Sequence, residues 1–278
     1  MLTGNSTLLL HLGDPTHSFK APMIYNPWFA HAGIDACVVP LGVRATEFAA
    51  EFGLLMKATN VRGALVTMPH KVTVLDLVDE VRPAAAIAGA ANAVRVEPGG
   101  RLVADMFDGE GFVRGMRRNG RPPQGLSALV VGSGGVGSAI AASLAAAGVS
   151  RIAVFDTRAA AMQGLADRLR SHHPALEVQT GISDPAGFDV VVNATPMGMN
   201  PGDPMPVAVD RLAPGTFVGE VVMTRAITPF LQAARQRGCT TQVGTDMLFE
   251  QIPAYLEFFG FTPLPTPAQL REHAQLAA

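Results

Sequence analysis

The stretch Leu129-Val130-Val131-Gly132-Ser133-Gly134-Gly135-Val136-Gly137-Ser138-Ala139 decides the fold. An apolar run stops at a cluster of glycines, and small side chains then continue without a charge to about Ala147. Read as strand, turn and helix, the segment places glycines 132, 134 and 137 in the pattern G-x-G-x-x-G. Glycine there permits a tight turn and close backbone approach, while the helix N-terminus offers free N–H groups and a positive dipole to a pyrophosphate. The next apolar run, residues 152–155, ends at Asp156, nineteen residues after Gly137, where a carboxylate accepts hydrogen bonds from an adenosine ribose. The expected ligand is a dinucleotide, held by Gly132, Gly134, Gly135 and Gly137 together with Asp156, Thr157 and Arg158. NAD is the preferred form, because a carboxylate repels a 2′-phosphate and accepts from a 2′-hydroxyl; Arg158 can offset that repulsion, so NADP stays open.

On either side of this unit the pattern alternates. Strands at 152–155 and 190–193 with a helix at 160–172 between them, then a strand at 217–221, a helix at 229–237 and a strand at 241–243, extend a doubly wound Rossmann sheet. Towards the N-terminus, strands at 7–12, 36–41 and 63–66 alternate with helices at 23–32 and 45–56, which is the mark of a mostly parallel α/β sheet. A hairpin of 94–96 and 102–104 around Glu97-Pro98-Gly99-Gly100 makes that sheet mixed. A helix at 111–118 and the polar, proline-containing stretch 119–125 follow, a break in composition between the two halves. The last helices, 247–259 and 267–274, have no strand of their own to cover and are assigned back to the first half. The expected division is 1–108 with 245–278 as a substrate and catalytic domain, against 109–244 as the dinucleotide domain, with a cleft between them.

Composition narrows the function classes. The chain has 278 residues, enough for two packed cores, with 48% apolar and 16% charged side chains and a net charge of −2. That balance leaves no basic footprint for nucleic acid and no polybasic membrane anchor. Residues 125–150 carry no charge, but their glycines and small side chains suit a buried turn and helix better than a membrane span. The apolar start lacks a basic n-region and soon meets His11 and Asp14, so it reads as a strand. Cys37 and Cys239 match no metal spacing and read as small buried hydrophobes. The expectation is a cytoplasmic protein, monomer or homodimer, with no metal and a small-molecule partner.

Chemistry enters with Val66-Thr67-Met68-Pro69-His70-Lys71. Together with Gly13-Asp14-Pro15-Thr16-His17-Ser18, Gly89-Ala90-Ala91-Asn92, Asp108-Gly109-Glu110-Gly111-Phe112, Asn193-Ala194-Thr195-Pro196-Met197-Gly198-Met199, Thr228-Pro229, and Met247-Leu248 with Gln251, it forms an ordered set of landmarks. By these the chain resembles the shikimate dehydrogenase family over nearly its whole length. The resemblance implies NAD(P)-dependent interconversion of a ring secondary alcohol and a ketone on a carboxylated alicyclic acid, of shikimate type, with a place in aromatic amino acid biosynthesis. It implies Lys71 and Asp108 as the catalytic pair. Hydride leaving a carbinol carbon requires a proton to leave its oxygen, and a lysine or carboxylate can relay it; which of the two is the base stays open. Ser18, Lys20, Thr67, Asn92 and Gln251 match substrate-binding positions, and Thr195, Val222 and Gly244 join the cofactor set. His70, though a histidine, is expected to point away from Lys71.

Four departures bear on the substrate. Lys20 stands where the family usually has a serine for the substrate carboxylate, and a lysine is a flexible point charge rather than a short hydroxyl donor. Leu65 replaces an asparagine, Met106-Phe107 replace Asn-Thr, and Met223 replaces a tyrosine. A site that loses its hydrogen-bonding partners loses discrimination for the hydroxyls they held. A quinate-like or other hydroxy acid is therefore an alternative substrate, and a catalytically weak NAD-binding metabolite sensor an alternative role.

Overall fold

The computed structural model describes residues 2–276 and divides into two compact units. The first holds residues up to Ala85, Gly89–Phe107 and those from Ile252 onward; the second holds Ala86–Ala88 and Asp108–Gln251. The C-terminal crossing thus falls between 251 and 252, later than the expected 245, and Asp108 goes with the second unit. The reason is local: Asp108 opens helix α4 (Asp108–Arg118), and α4 is fastened within that unit. A Cβ on Gly109 would lie 2.0 Å from the carbonyl oxygen of Ala139, and one on Gly111 would lie 2.7 Å from Gln251 Cβ, so both neighbours approach to a distance only glycine tolerates.

The second unit is a six-stranded, all-parallel sheet. Strands β7 (Ser127–Val131), β8 (Arg151–Phe155), β9 (Glu177–Thr180), β10 (Val190–Asn193), β11 (Phe217–Glu220) and β12 (Thr240–Gln242) lie in the order β12-β11-β10-β7-β8-β9. That is the doubly wound order, with the switch point between β7 and β10. Apolar side chains on both faces of β7 and β10 are buried, as a sheet covered on both sides requires. Helix α5 (Gly135–Ala146) packs closely because glycine, alanine and serine dominate it. The register brings Val131, Phe155, Asn193 and Glu220 level at one edge, so the loops after β7, β8, β10 and β11 leave the sheet together. Strand β9 is absent from the expected set, since Glu177-Val178-Gln179-Thr180 has neither an apolar run nor a clean alternation.

In the first unit, β1 (Thr7–Gly13), β2 (Ala36–Gly42) and β3 (Val61–Val66) are parallel, and β5 (Ala93–Val96) runs antiparallel to both β3 and β6 (Leu102–Asp105). With β4 (Glu80–Val81) the order is β2-β1-β3-β5-β6-β4, a mixed sheet with its hairpin as expected. The short β4 and helix α3 (Pro83–Ala88) were not anticipated, two residues of strand and six of helix being too short for a periodicity to register. Cys37 and Cys239 are both free thiols, the first half-buried rather than sealed in the core. Among the described residues no helix is long and apolar enough to cross a membrane.

Candidate functional site

Above the level edge of the second sheet lies a cavity of about 880 Å³, walled by the glycine loop, the β8 end, segment 194–206 and segment 221–224. The Gly132 N–H donates to the Phe155 carbonyl at 2.7 Å, and the residue sits at φ 105°, a turn that a side chain would strain. A Cβ on Gly135 would meet nothing within 4 Å, and one on Gly134 only Arg158 Nη2 at 3.9 Å, so a ligand can approach their backbone. Gly137 and Gly244 do not line the cavity. A Cβ on Gly137 would sit 1.9 Å from the Gly132 carbonyl oxygen, and one on Gly244 would sit 2.2 Å from the Val222 carbonyl oxygen, which makes both packing glycines beneath the walls.

Asp156 lines the cavity. Its carboxylate accepts the Ser133 N–H at 2.7 Å, the Arg158 N–H at 2.8 Å, and Arg158 Nε and Nη2 at 3.2 and 3.1 Å. Burial by itself would raise the carboxyl pKa, but the hydrogen bonds from Arg158 and Ser133 outweigh it and hold the group at about 2. Asp156 therefore stays ionised at the β8 end, with the Arg158 guanidinium forked onto it. Thr157, Thr195 and Val222 also line the wall, as does Met223. Segment 196–206 was under-read in the sequence: Pro196, Met197, Met199, Asn200, Asp203 and Pro206 all line the cavity. The signal available was the run of proline and glycine after a strand end, and Asp203 shapes it by accepting the N–H groups of Gly198 and Asn200 at 3.0 and 2.9 Å.

The other candidate residues gather at one edge of the first sheet. Thr67 and Lys71 follow β3, Ser18 and Lys20 follow β1, and Asn92 precedes the antiparallel β5, so all leave the sheet on the same side. A Cβ on Gly13 would lie 2.4 Å from Thr67 Cγ2 and 2.9 Å from Phe19 Cζ, which shows how closely the β1 and β3 ends approach. Asn92 is buried and accepts the Phe107 N–H on Oδ1 at 2.9 Å, and the Ala91 N–H donates to the Lys71 carbonyl at 2.8 Å. Thr67 and Lys71 are half-buried; Ser18 and Lys20 are exposed. His70 turns inward: its Nε2 is 2.7 Å from the Val43 carbonyl oxygen and its ring stacks on Phe48 at 3.9 Å. His11, stacked on Phe19 at 4.0 Å, is held near pKa 4, first by burial and then by the charge of Lys71, so its imidazole is neutral. Leu65 and Met106 are buried at 5% and 2% exposure, and Phe107 packs against Tyr255 and Phe258. Asp108 and Gln251 are buried in the second unit, and Gln251 keeps a side-chain oxygen with no hydrogen-bond partner.

A doubly wound domain with a glycine loop and a carboxylate at the next strand end, in one chain with a mixed α/β domain bearing a lysine at a strand end, is the build of a two-domain dinucleotide-dependent oxidoreductase. Residues 12–94 match the family described as the shikimate dehydrogenase substrate binding domain. A shikimate dehydrogenase (NADP(+)) of Rubrobacter xylanophilus is 37% identical across 90% of this chain and 89% of its own length. Shikimate 5-dehydrogenase of Listeria monocytogenes, solved with shikimate and NAD, superposes with a TM-score of 0.90 at 26% identity, covering 98% and 97% of the two chains. Ligand-free 5-ketofructose reductase of a Gluconobacter species superposes at 0.89 with 29% identity, covering 98% and 99%. The chain belongs to the shikimate dehydrogenase family and is a shikimate dehydrogenase-like oxidoreductase.

Proposed function

We propose that this protein interconverts a secondary ring alcohol and a ketone on a carboxylated alicyclic acid of the shikimate type, using NAD in preference to NADP. The observation that carries the cofactor reading is the Asp156 carboxylate, fixed at the β8 end of an open cavity whose glycines leave backbone N–H groups accessible. The residues fit a dinucleotide: Gly132, Gly134 and Gly135 would take the pyrophosphate at the α5 N-terminus, Asp156 the adenosine ribose, and Thr195, Val222 and Met223 the nicotinamide end. Bound there, the nicotinamide would accept or supply the hydride. The Asp156 carboxylate is acceptor-only at neutral pH, which suits a 2′-hydroxyl and opposes a 2′-phosphate. The relatives named for NADP(+) make this preference the point to test.

Lys71 and Asp108 are proposed to carry the hydroxyl proton, with Ser18, Lys20, Thr67, Asn92 and Gln251 orienting the acid. His11, neutral and beside Lys71, adds no second positive charge there. Asn92 is held in place by the Phe107 N–H, donated to its side-chain oxygen at 2.9 Å. Replacing Lys71 with alanine is expected to lower turnover by at least about a hundredfold with cofactor affinity retained. Unchanged turnover refutes the assignment. The protein is proposed to act in the cytoplasm, as a monomer or homodimer.

A second reading concerns the substrate. Met223 gives the cavity an apolar side chain, and Lys20 gives the first unit an exposed cation. A quinate-like acid, or a polyhydroxy ketone such as that named for the Gluconobacter neighbour, fits these changes. Turnover measured across ring acids and open-chain ketosugars with both cofactors decides among them, and binding without cofactor reduction would favour a sensor.

A further inference from the structure

The dinucleotide cavity rests on a buried polar cluster that the chemistry above does not use. Glu220 ends β11 with no exposed surface, and Asn193 and Thr228 beside it are equally sealed. The Thr228 hydroxyl donates to Glu220 Oε2 at 2.9 Å and accepts the Leu231 N–H at 3.2 Å, capping helix α7 (Pro229–Gln236). Glu220 and Thr228 thus bracket segment 221–227, whose first four residues form one wall of the cavity. Asn193, level with Glu220 in the next strand, serves the opposite wall. Its Nδ2 donates to the Met197 carbonyl at 2.9 Å, and its Oδ1 accepts the Thr195 N–H and hydroxyl at 3.1 and 2.6 Å. Both walls are loops outside the strand ladder, so these side chains set their shape.

A carboxyl is a costly choice for that place. The helix cap needs Thr228 alone, and a sealed strand end is better served by an apolar side chain. Glu220 moreover keeps Oε1 with no hydrogen-bond partner, which makes burial of its charged form more costly still.

We propose that Glu220 is a positioning residue for the cofactor: its carboxyl ties segment 221–227 through Thr228, level with Asn193, which holds segment 194–199, so that the two strand ends together fix both walls for the nicotinamide half of the dinucleotide. The inference rests on the reading of this cavity as the dinucleotide site. Burial raises the Glu220 pKa to about 7, against the smaller lowering effects of Thr228 and Asn193. The neutral form therefore predominates on the acid side of neutrality, and ionisation leaves an unpaired buried charge between the walls.

The test is calorimetric titration of NAD and NADP into the full chain at about pH 6 and about pH 8.5, with steady-state KM for cofactor and acid. At the lower pH, Glu220→Gln, which has the shape of the neutral carboxyl, should bind dinucleotide within about twofold of wild type, whereas Glu220→Ala should bind about tenfold more weakly, equal to about 1.4 kcal/mol. The acid KM should stay unchanged. At the higher pH, Glu220→Gln should bind more tightly than wild type, a comparison that holds even if Glu220→Ala does not fold. Thr228→Ser should retain affinity. A lowered melting temperature for Glu220→Ala with unchanged cofactor affinity, or Glu220→Gln and wild type responding identically to pH, overturns the inference. Wild type that binds neither dinucleotide overturns the cofactor reading itself, whereas wild-type binding with an unaffected alanine variant overturns this inference alone.

Discussion

Gly137→Ala separates the two kinds of glycine in the cofactor loop. The new Cβ would sit 1.9 Å from the Gly132 carbonyl oxygen, 2.9 Å from its carbon and 3.1 Å from Ala194 Cβ, whereas real Cβ atoms stay beyond 3.0 Å. Backbone must therefore move by about 1 Å, and the turn that has to yield is pinned by the 2.7 Å bond from Gly132 to Phe155. Overpacking of this kind costs about 1–3 kcal/mol, with the upper end apt here because no flexible side chain can give way. Alanine returns about 0.5–1 kcal/mol of helix propensity at that position. The net loss is about 2 kcal/mol, which in a unit of this size lowers the melting temperature by about 4–8 °C. Gly135→Ala is the counterpart: its methyl meets nothing within 4 Å but projects from a residue lining the cavity. It should melt with wild type and bind dinucleotide more weakly. Thermal melts without ligand, paired with NAD titrations, read both effects. A Gly137→Ala protein that melts with wild type, or a Gly135→Ala protein that melts lower yet binds normally, would refute the division of roles.

Asp156→Ala should weaken NAD more than NADP, since it removes the ribose acceptor and frees Arg158 for a 2′-phosphate; equal losses in the two dissociation constants would sink the ribose assignment. Glu220→Gln should flatten part of the pH dependence of stability. The folded-state pKa of about 7 lies above the ordinary 4.5, so the folded protein holds an extra proton between them and wild-type stability falls as pH rises through that window. The glutamine variant should gain up to about 3 kcal/mol over wild type well above pH 7, read from urea midpoints, and a gain independent of pH would contradict the burial argument.

What the sequence made legible follows from how physical demands are encoded. The glycine loop could be read because its constraint is steric and local: Gly132 needs its left-handed φ, and Gly137 has no room for a methyl. Asp156 could be read because a strand end positions it at a fixed spacing. Strand β9 could not, because its half-buried polar side chains carry no periodic signal. Glu220 was equally silent: a single acid after Phe217-Val218-Gly219 looks like a solvated strand end, and only the pairing with Asn193 and Thr228, contributed by other strands and loops, reveals it as sealed. The division between 251 and 252 likewise depends on Gly111 against Gln251, a contact between distant segments.

The same logic sorts the departures in the recognition set. Five positions differ from the usual residues of the family that the chain resembles, and treating all as substrate contacts would suggest a site stripped of polarity. Leu65 and Met106 are instead sealed at 5% and 2% exposure, and Phe107 packs at a tilt against Tyr255 and Phe258. Apolar residues there add to the core and remove polar groups that would otherwise require partners. Met223 on the cavity wall and the exposed Lys20 are the changes a ligand can meet directly. One substitutes apolar contact for hydrogen bonding, and the other adds a long-range cation. On the proposed function, an acid lacking a hydroxyl near Met223 should still be turned over, while one lacking the carboxylate should lose the partner proposed for Lys20. The departures open to a ligand are then two side chains, not a wholly rebuilt site.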